Sequence, residues 1–335
     1  MSERLLSIVV VNHNGGEMLA RCLASIAEQT YPLFDVIVVD NGSTDGSADL
    51  DYFEGTNWHL IKLSENTGFA SANNRAFSEN RSDYIALVNN DVVLSSNWAS
   101  LMVAALEAHE SAGSAASRVL QLKDPRRIDS AGFAYFASGT ATSWSGTPAD
   151  HFSAIDHAPF GAVASAAVYR RSAIDACGPF QNRYFCYYED TDLAVRLVLH
   201  GYDVVYVDAA VARHETSSTG KARSDFHVYH LRRNVEYLFW VNSIGFLVWL
   251  FLLPHFVYES LCFVEGLFNR QGGVVLKAKW AALKDFRWIL SERRKLGALL
   301  RSRGILNDGR RRLRSRQNGA WRGVFRPENF RKIRG

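Results

Sequence analysis

Cysteine is scarce in this chain: Cys22, Cys177, Cys186 and Cys262 are spread over 335 residues, with no C-x-x-C pair. That spacing suggests neither a disulfide framework nor a zinc site, and it fits a reducing compartment. Proline is also sparse at 7 residues, and the 24 glycines show no period, which excludes a collagen-like chain. Charged residues make up only 21% against 47% apolar, so a mainly disordered chain is excluded too. No signal peptide is expected, because the first apolar stretch, Leu5 to Val11, is short and runs into Asn12-His13-Asn14. The length allows one large or two moderate domains with a proper core.

Positive charge is short in the body of the chain and abundant at its end. Residues 1–269 hold 18 Lys and Arg against 30 Asp and Glu, whereas residues 270–335 hold 20 against 4. An acidic body with a basic tail points to an anionic surface as the tail's partner.

The first third alternates strand and helix. Ser7 to Val11 and Val36 to Val39 are β-branched runs read as buried strands, and between them Met18, Leu19, Cys22, Leu23 and Ile26 recur at helical spacing. A short strand near Leu60–Leu63, a helix over about 70–78 and a strand at Tyr84–Val88 follow. This rhythm predicts an α/β domain with a mainly parallel sheet, whose ligands bind at the carboxyl ends of the strands. Polar residues gather at those ends: Asn12, His13 and Asn14; then Asp40, Asn41, Ser43, Thr44 and Asp45; then Asn89, Asn90 and Asp91. Any one cluster reads equally well as turn chemistry. Three after three strands point to a site.

From about 115 to 180 the pattern weakens, and a loop-rich region or lid is expected. Glu189, Asp190 and Asp192 then head a helix, and Val204 to Val207 form a strand leading to His214. Residues 237–258 contain no Asp, Glu, Lys or Arg. That is long enough for a membrane span. Pro254, His255, Asn242 and Ser243 interrupt it, so two helices lying at a membrane interface are favoured, with a buried dimer interface as a third reading. Beyond Phe268, Trp280, Phe286, Trp288, Trp321 and Phe325 interleave with Lys and Arg, a mixture suited to a headgroup layer. Nucleic acid is not expected, since no RRM, KH or zinc-knuckle signature is present.

Five segments in order resemble the motifs of family 2 glycosyltransferases of the GT-A fold, nearest to bacterial rhamnosyltransferases of cell-surface polysaccharide assembly. They are residues 7–14, 38–45, 66–74, 87–94 and 189–196, and the resemblance covers about 5–240. It implies a GT-A (Rossmann-like) mixed, mainly parallel sheet flanked by helices over 1–235. The nucleotide-sugar half would be about 1–115 and the acceptor half about 116–235. A basic helical membrane-associating extension would occupy 236–335.

The resemblance also implies roles. A divalent cation, Mg²⁺ or Mn²⁺, would offset charge on the departing nucleoside diphosphate, and hard oxygen ligands suit it. Asp91 and His214 would be its ligands. The family's D-x-D element reads Asn89-Asn90-Asp91 here, which leaves its first position neutral. The donor, dTDP- or UDP-linked, would be held by Val11, Asn12, His13, Asp40, Asn66, Gly68, Asn73, Asn89 and Asn90. Asp40 would accept from the base imide. Arg233 would face a diphosphate, or equally be a solvated helix residue. Asp190 would be the general base of an inverting transfer and Glu189 would orient the acceptor, although both could simply cap a helix. Asp192 is expected to be structural.

The expected function is therefore transfer of a sugar, with L-rhamnose from dTDP-rhamnose the first choice, onto a polyprenyl-diphosphate-linked saccharide. The enzyme would sit on the cytoplasmic face of the cell membrane, peripheral or monotopic, with oligomeric state open. Rival readings are a UDP-hexose or UDP-galactofuranose transferase, a nucleotidyltransferase and a membrane scaffold with a degenerate transferase domain. The second lacks a lysine in Asn12-His-Asn-Gly-Gly16 for phosphate binding.

Overall fold

The computed structural model describes residues 5–49, 57–79, 81–152, 159–215 and 224–316. Trp321 and Phe325 lie outside the described residues. In chain order the elements are β1 (Leu6–Asn12), α1 (Gly16–Ala27), β2 (Phe34–Asn41), β3 (Trp58–Leu63), α2 (Phe69–Glu79), β4 (Tyr84–Asn89), β5 (Val92–Leu94) and α3 (Trp98–Ala108). Then come β6 (Ala112–Gln121), β7 (Ile128–Ser130), β8 (Phe133–Tyr135), β9 (Ala141–Ser143), β10 (Ala166–Arg170), α4 (Arg171–Cys177), α5 (Glu189–Leu199) and β11 (Asp203–His214). Helices α6 (Asp225–Asn242), α7 (Leu247–Phe268), α8 (Gly272–Lys284), α9 (Phe286–Ser302) and α10 (Leu306–Arg316) complete the order.

The chain forms two compact units, one of residues 1–133, 143–197 and 202–218, the other of 134–142, 198–201 and 219–335. The sequence reading placed the division at 235; here α6 belongs with the C-terminal unit.

The first unit holds a nine-stranded sheet in the order β3-β2-β1-β4-β10-β6-β11-β5, with β7 on β6. Strands β3, β2, β1 and β4 are mutually parallel, while β10 runs antiparallel to both β4 and β6. The sheet is mixed because β10 runs against both its neighbours and β5 and β7 pair antiparallel with β11 and β6. Its two faces are filled separately. Ile8, Val10, Val36 and Val38 pack with Leu19, Leu23, Ile26 and Trp98 on one side. Val9, Ile37 and Val39 pack with Ala72, Ala76 and Phe77 on the other. Burial on both faces explains why these strands read as continuous β-branched runs. The region expected to be loop-rich, 115–180, in fact contains β6 and β10 in mid-sheet. Their Ala, Gly and Ser residues carry little strand signal, yet they let helices pack closely.

In the second unit the long apolar segment divides into α6 and α7, as the two-helix reading expected, but the break falls at residues 243–246. Pro254 does not interrupt α7; it is buried inside a helix of 22 residues. Proline removes one N–H, a loss that the helix tolerates when the neighbouring turns are held by packing. Helices α6 and α8 pack along each other, and Trp288 and Phe286 of α9 stack edge-on against Tyr237 and Trp240 of α6.

Candidate active site

The site is built on the carboxyl ends of β1, β2 and β4, which parallel register brings level: Asn12 pairs with Asp40, and Val11 with both Val39 and Asn89. Asn12 is fully buried and ties the ends together. Its Nδ2 donates to Asp40 Oδ1 (3.3 Å), Ser43 Oγ (3.1 Å) and Ser47 Oγ (2.9 Å), while its Oδ1 accepts from Asn90 Nδ2 (2.9 Å). Gly15 is required beside this knot, since a Cβ there would stand 2.3 Å from Asn12 Oδ1 and 2.6 Å from Asn90 Nδ2. His13 donates from Nδ1 to Asn41 O (3.1 Å).

A second layer of hydrogen bonds runs from β2 to the start of α2. Asn41 Oδ1 accepts from Thr67 N at 2.8 Å, and Asn41 Nδ2 donates to Asn66 Oδ1 at 3.1 Å. Gly68, at φ +85°, packs against Phe185, where a Cβ would lie 2.6 Å from the Phe185 carbonyl oxygen. That same oxygen accepts from Ala70 N (3.1 Å). The loop carrying Phe185, Tyr187 and Tyr188, all at positive φ, is thus pinned to α2 immediately before Glu189. Positive φ in three bulky residues is strain that packing has to hold. Asn73 does not join this set: it is buried and donates to Phe69 O within its own helix (2.8 Å).

Asp91 and His214 are brought together by the pairing of β11 with β5, His214 opposite Val92. His214 Nε2 lies 3.0 Å from Asp91 Oδ1, and its Nδ1 lies 2.8 Å from Asp129 Oδ2 on β7. Burial works against charge on this imidazole, but the hydrogen bonds to Asp129 and Asp91 outweigh it and push the group up to about 10. Asp129 has no motif around it in Arg126-Arg127-Ile128-Asp129-Ser130, and only the pairing of β7 with β6 reveals its place.

The donor set fits a hard divalent cation. Two cis ligands at about 2.1 Å around Mg²⁺ or Mn²⁺ stand roughly 3.0 Å apart, and Asp91 Oδ1 and His214 Nε2 have that separation. Asp129 on the far ring nitrogen would fix the tautomer that presents the Nε2 lone pair. Among the described residues no three His, Cys, Asp or Glu side chains form a ready-made metal shell. Remaining positions would fall to water and the donor's phosphates.

Asp190 begins α5. Its Oδ1 accepts from Thr191 N (2.6 Å) and Thr191 Oγ1 (3.2 Å), and its Oδ2 from Ala164 N (3.2 Å). The next residue, Ser165, accepts from Asn89 N through its carbonyl (3.0 Å), so one short segment links the acid to the end of β4. Glu189 is buried, and its Oε2 has no hydrogen-bond partner among the described residues. Burial, then the neighbouring carboxylates, push Glu189 well above the usual range. Burial also raises Asp190, against the pull of its backbone hydrogen bonds. Enclosure thus makes Asp190 a stronger base than an exposed carboxylate. Asp192 pairs with Arg196 at 2.8 Å, both almost wholly buried, and Arg196 also donates to three carbonyls of residues 177–179, a structural role.

Arg233 lies on α6 in the second unit. It donates to Asn234 Oδ1 (3.0 Å) and its guanidinium stands over the rings of Tyr229 and Tyr237.

A mainly parallel sheet whose polar strand ends converge, with acids in the first turn of a nearby helix, is an α/β arrangement of the kind that binds ligands at its strand ends. The model of glycosyl transferase family 2 matches residues 7–178, and that of glycosyl transferase family group 2 matches residues 119–269. The chain belongs to glycosyl transferase family 2. It is similar to the N-acetylglucosaminyl-diphospho-decaprenol L-rhamnosyltransferase of Mycobacterium tuberculosis, 28% identical over 243 residues that cover 65% of this chain and 78% of that protein. It is 29% identical to the uncharacterized protein y4gI of Sinorhizobium fredii over 249 residues, 70% of this chain but only 27% of that much longer relative. Among solved structures, the mannosyltransferase PcManGT from Pyrobaculum calidifontis in complex with GDP-Man and Mn²⁺ shares the fold, with a TM-score of 0.51 and 16% identity over 96% of this chain and 87% of that one.

Proposed function

We propose that the protein is a metal-dependent, inverting glycosyltransferase that moves L-rhamnose from dTDP-rhamnose onto a polyprenyl-diphosphate-linked saccharide. It would do so at the cytoplasmic face of the cell membrane. The observation that carries the reading is the line Asp129–His214–Asp91, adjoining Asn90, Asn12 and Asp40 at one sheet end. Resemblance to the mycobacterial rhamnosyltransferase favours rhamnose and a lipid-linked acceptor.

In this reading Asp40 accepts from the base, and Asn12 holds that carboxylate in place. Asp91 and His214 hold a divalent cation, which when bound offsets the charge gathering on the departing diphosphate. Asp190 takes the proton of the acceptor hydroxyl as its oxygen attacks the anomeric carbon from the face opposite the leaving group. Glu189, beside it in the first turn of α5 with an unpartnered buried Oε2 among the described residues, orients the acceptor.

The test incubates purified protein with a panel of dTDP-, UDP- and GDP-sugars, Mn²⁺ and a synthetic lipid-diphosphate saccharide, and weighs the products. A rhamnosyl adduct formed only from dTDP-rhamnose supports the reading. A hexosyl or galactofuranosyl adduct would replace the donor, and no adduct from any donor would favour a scaffold.

A further inference from the structure

Helix α7 exposes one long apolar stripe. Trp249, Leu253, Phe256, Leu267 and Phe268 are 77, 61, 68, 57 and 74% exposed. The spacing of Trp249, Leu253, Phe256 and Leu267 follows the helical repeat, so these four share one face of α7, with Phe268 beside it at the helix end. On α8, Leu276, Trp280 and Leu283 are each more than half exposed at the same kind of spacing. Soluble surfaces seldom leave so many large apolar groups together without a partner. Cations edge the patch: Arg270, Lys277 and Lys284 are exposed, and Lys284 Nζ stands 5.7 Å from the centre of the Trp280 ring.

We propose that this α7–α8 face lies in the plane of an anionic lipid bilayer, its aromatics sunk into the headgroup and acyl boundary and its lysines on the phosphates. Bulky aromatics bordered by Lys and Arg match the composition of such interfaces, and residues 270–335 carry 20 cations against 4 anions.

Helix α7 is also long and apolar enough to cross a membrane. Its opposite face argues against a span. There His255 Nε2 donates to Glu236 (3.2 Å), and Lys279 of α8 reaches both Glu236 (2.6 Å) and Glu259. Lipid on all sides would bring this charged network into hydrocarbon. A second copy of the chain fits less well than lipid, because a two-fold interface through the face would set each copy's Arg270, Lys277 and Lys284 against the other's.

The inference does not depend on sugar transfer, since vesicle binding and product formation are measured separately. Full-length protein is floated with vesicles of phosphatidylglycerol and phosphatidylethanolamine, or of phosphatidylcholine alone. Wild type should bind the anionic vesicles preferentially. Trp249→Glu/Phe256→Glu should weaken binding on the order of a hundredfold, and Lys277→Glu/Lys284→Glu about thirtyfold or more. Because all four positions are exposed, thermal melts should match wild type. Brominated acyl chains should quench tryptophan emission less in Trp249→Phe than in wild type. The proposal is overturned if wild type fails to float, if both double variants float equally well, or if alkaline carbonate cannot extract the bound protein, which would mean a span. A dimer that Trp249→Glu/Phe256→Glu splits, with no vesicle binding, would assign the face to a second copy instead.

Discussion

Asp129→Asn isolates the part of the cation site that no motif marks. Asparagine keeps the side-chain volume and can still accept from His214 Nδ1 through its amide oxygen, so the strand pairing should survive. What it removes is a full negative charge 2.8 Å from the ring. That charge makes the opposite nitrogen more basic and holds its orientation. Loss of an outer-shell carboxylate of this kind lowers metal affinity about 10–100-fold, or roughly 1.4–2.7 kcal/mol. Asp91→Asn, which removes a direct ligand, should cost more. The assay is Mn²⁺ titration followed by electron paramagnetic resonance of the free ion, with dTDP present, alongside a thermal melt to check folding. Unchanged Mn²⁺ affinity in a folded Asp129→Asn protein, with affinity lost in Asp91→Asn, would refute the reasoning about His214. Unchanged affinity in both would remove the cation from this place altogether.

Asp190→Asn should reduce turnover by about 10²–10⁴-fold, the usual worth of a general base, while calorimetric affinity for the donor stays near wild type; substantial residual turnover would remove Asp190 from that role. Gly68→Ala must place a Cβ 2.6 Å from the Phe185 carbonyl oxygen at φ +85°. It should cost about 2 kcal/mol or more, seen as a Tm lower by roughly 4–8 °C, and an unchanged melt would show that the 185–188 loop is free to shift. For Glu236, burial works against the charged form, but the bonds to His255 and Lys279 prevail and hold its carboxyl down at about 2. Because the folded value lies below the unfolded one, the ionised group contributes stability above pH ~4.5 that is lost as pH falls toward ~2, up to about 3 kcal/mol. Urea unfolding at pH 6 and pH 3 should show this loss in wild type and much less of it in Glu236→Gln; equal pH slopes would count against the network.

Strands β1, β2 and β4 were legible because burial on both faces demands runs such as Ile8-Val9-Val10-Val11. Strands β6 and β10 were not, since Ala112-Gly-Ser-Ala-Ala-Ser and Ala166-Ala owe their conformation to neighbours in the sheet rather than to local preference. The polar strand ends were equally visible, but not the bonding among them. That Asn12 would link Asp40 to Asn90 depends on register, and that Asn73 would turn back onto Phe69 depends on the rotamer it adopts inside α2. Asp129 was invisible because a three-residue strand on the sheet's flank carries no periodic signal. The apolar segment misled in a different way: Pro254 looked like a stop, and a helix packed on its own unit carried it through.

The triplet Asn89-Asn90-Asp91 divides its labour in a way that bears on charge. Asn90 spends its amide on Asn12, and Asn89 Oδ1 is buried with no hydrogen-bond partner among the described residues. Only Asp91 brings a negative charge, and Asp129 brings a second from behind His214. Two carboxylates match one divalent cation. In the proposed reading the loaded site is therefore close to neutral before the donor arrives. A third carboxylate at position 89 would tip it negative and weaken its attraction for a diphosphate. A neutral first position is thus compatible with cation-assisted transfer, because the second carboxylate is supplied from β7 instead of from the triplet.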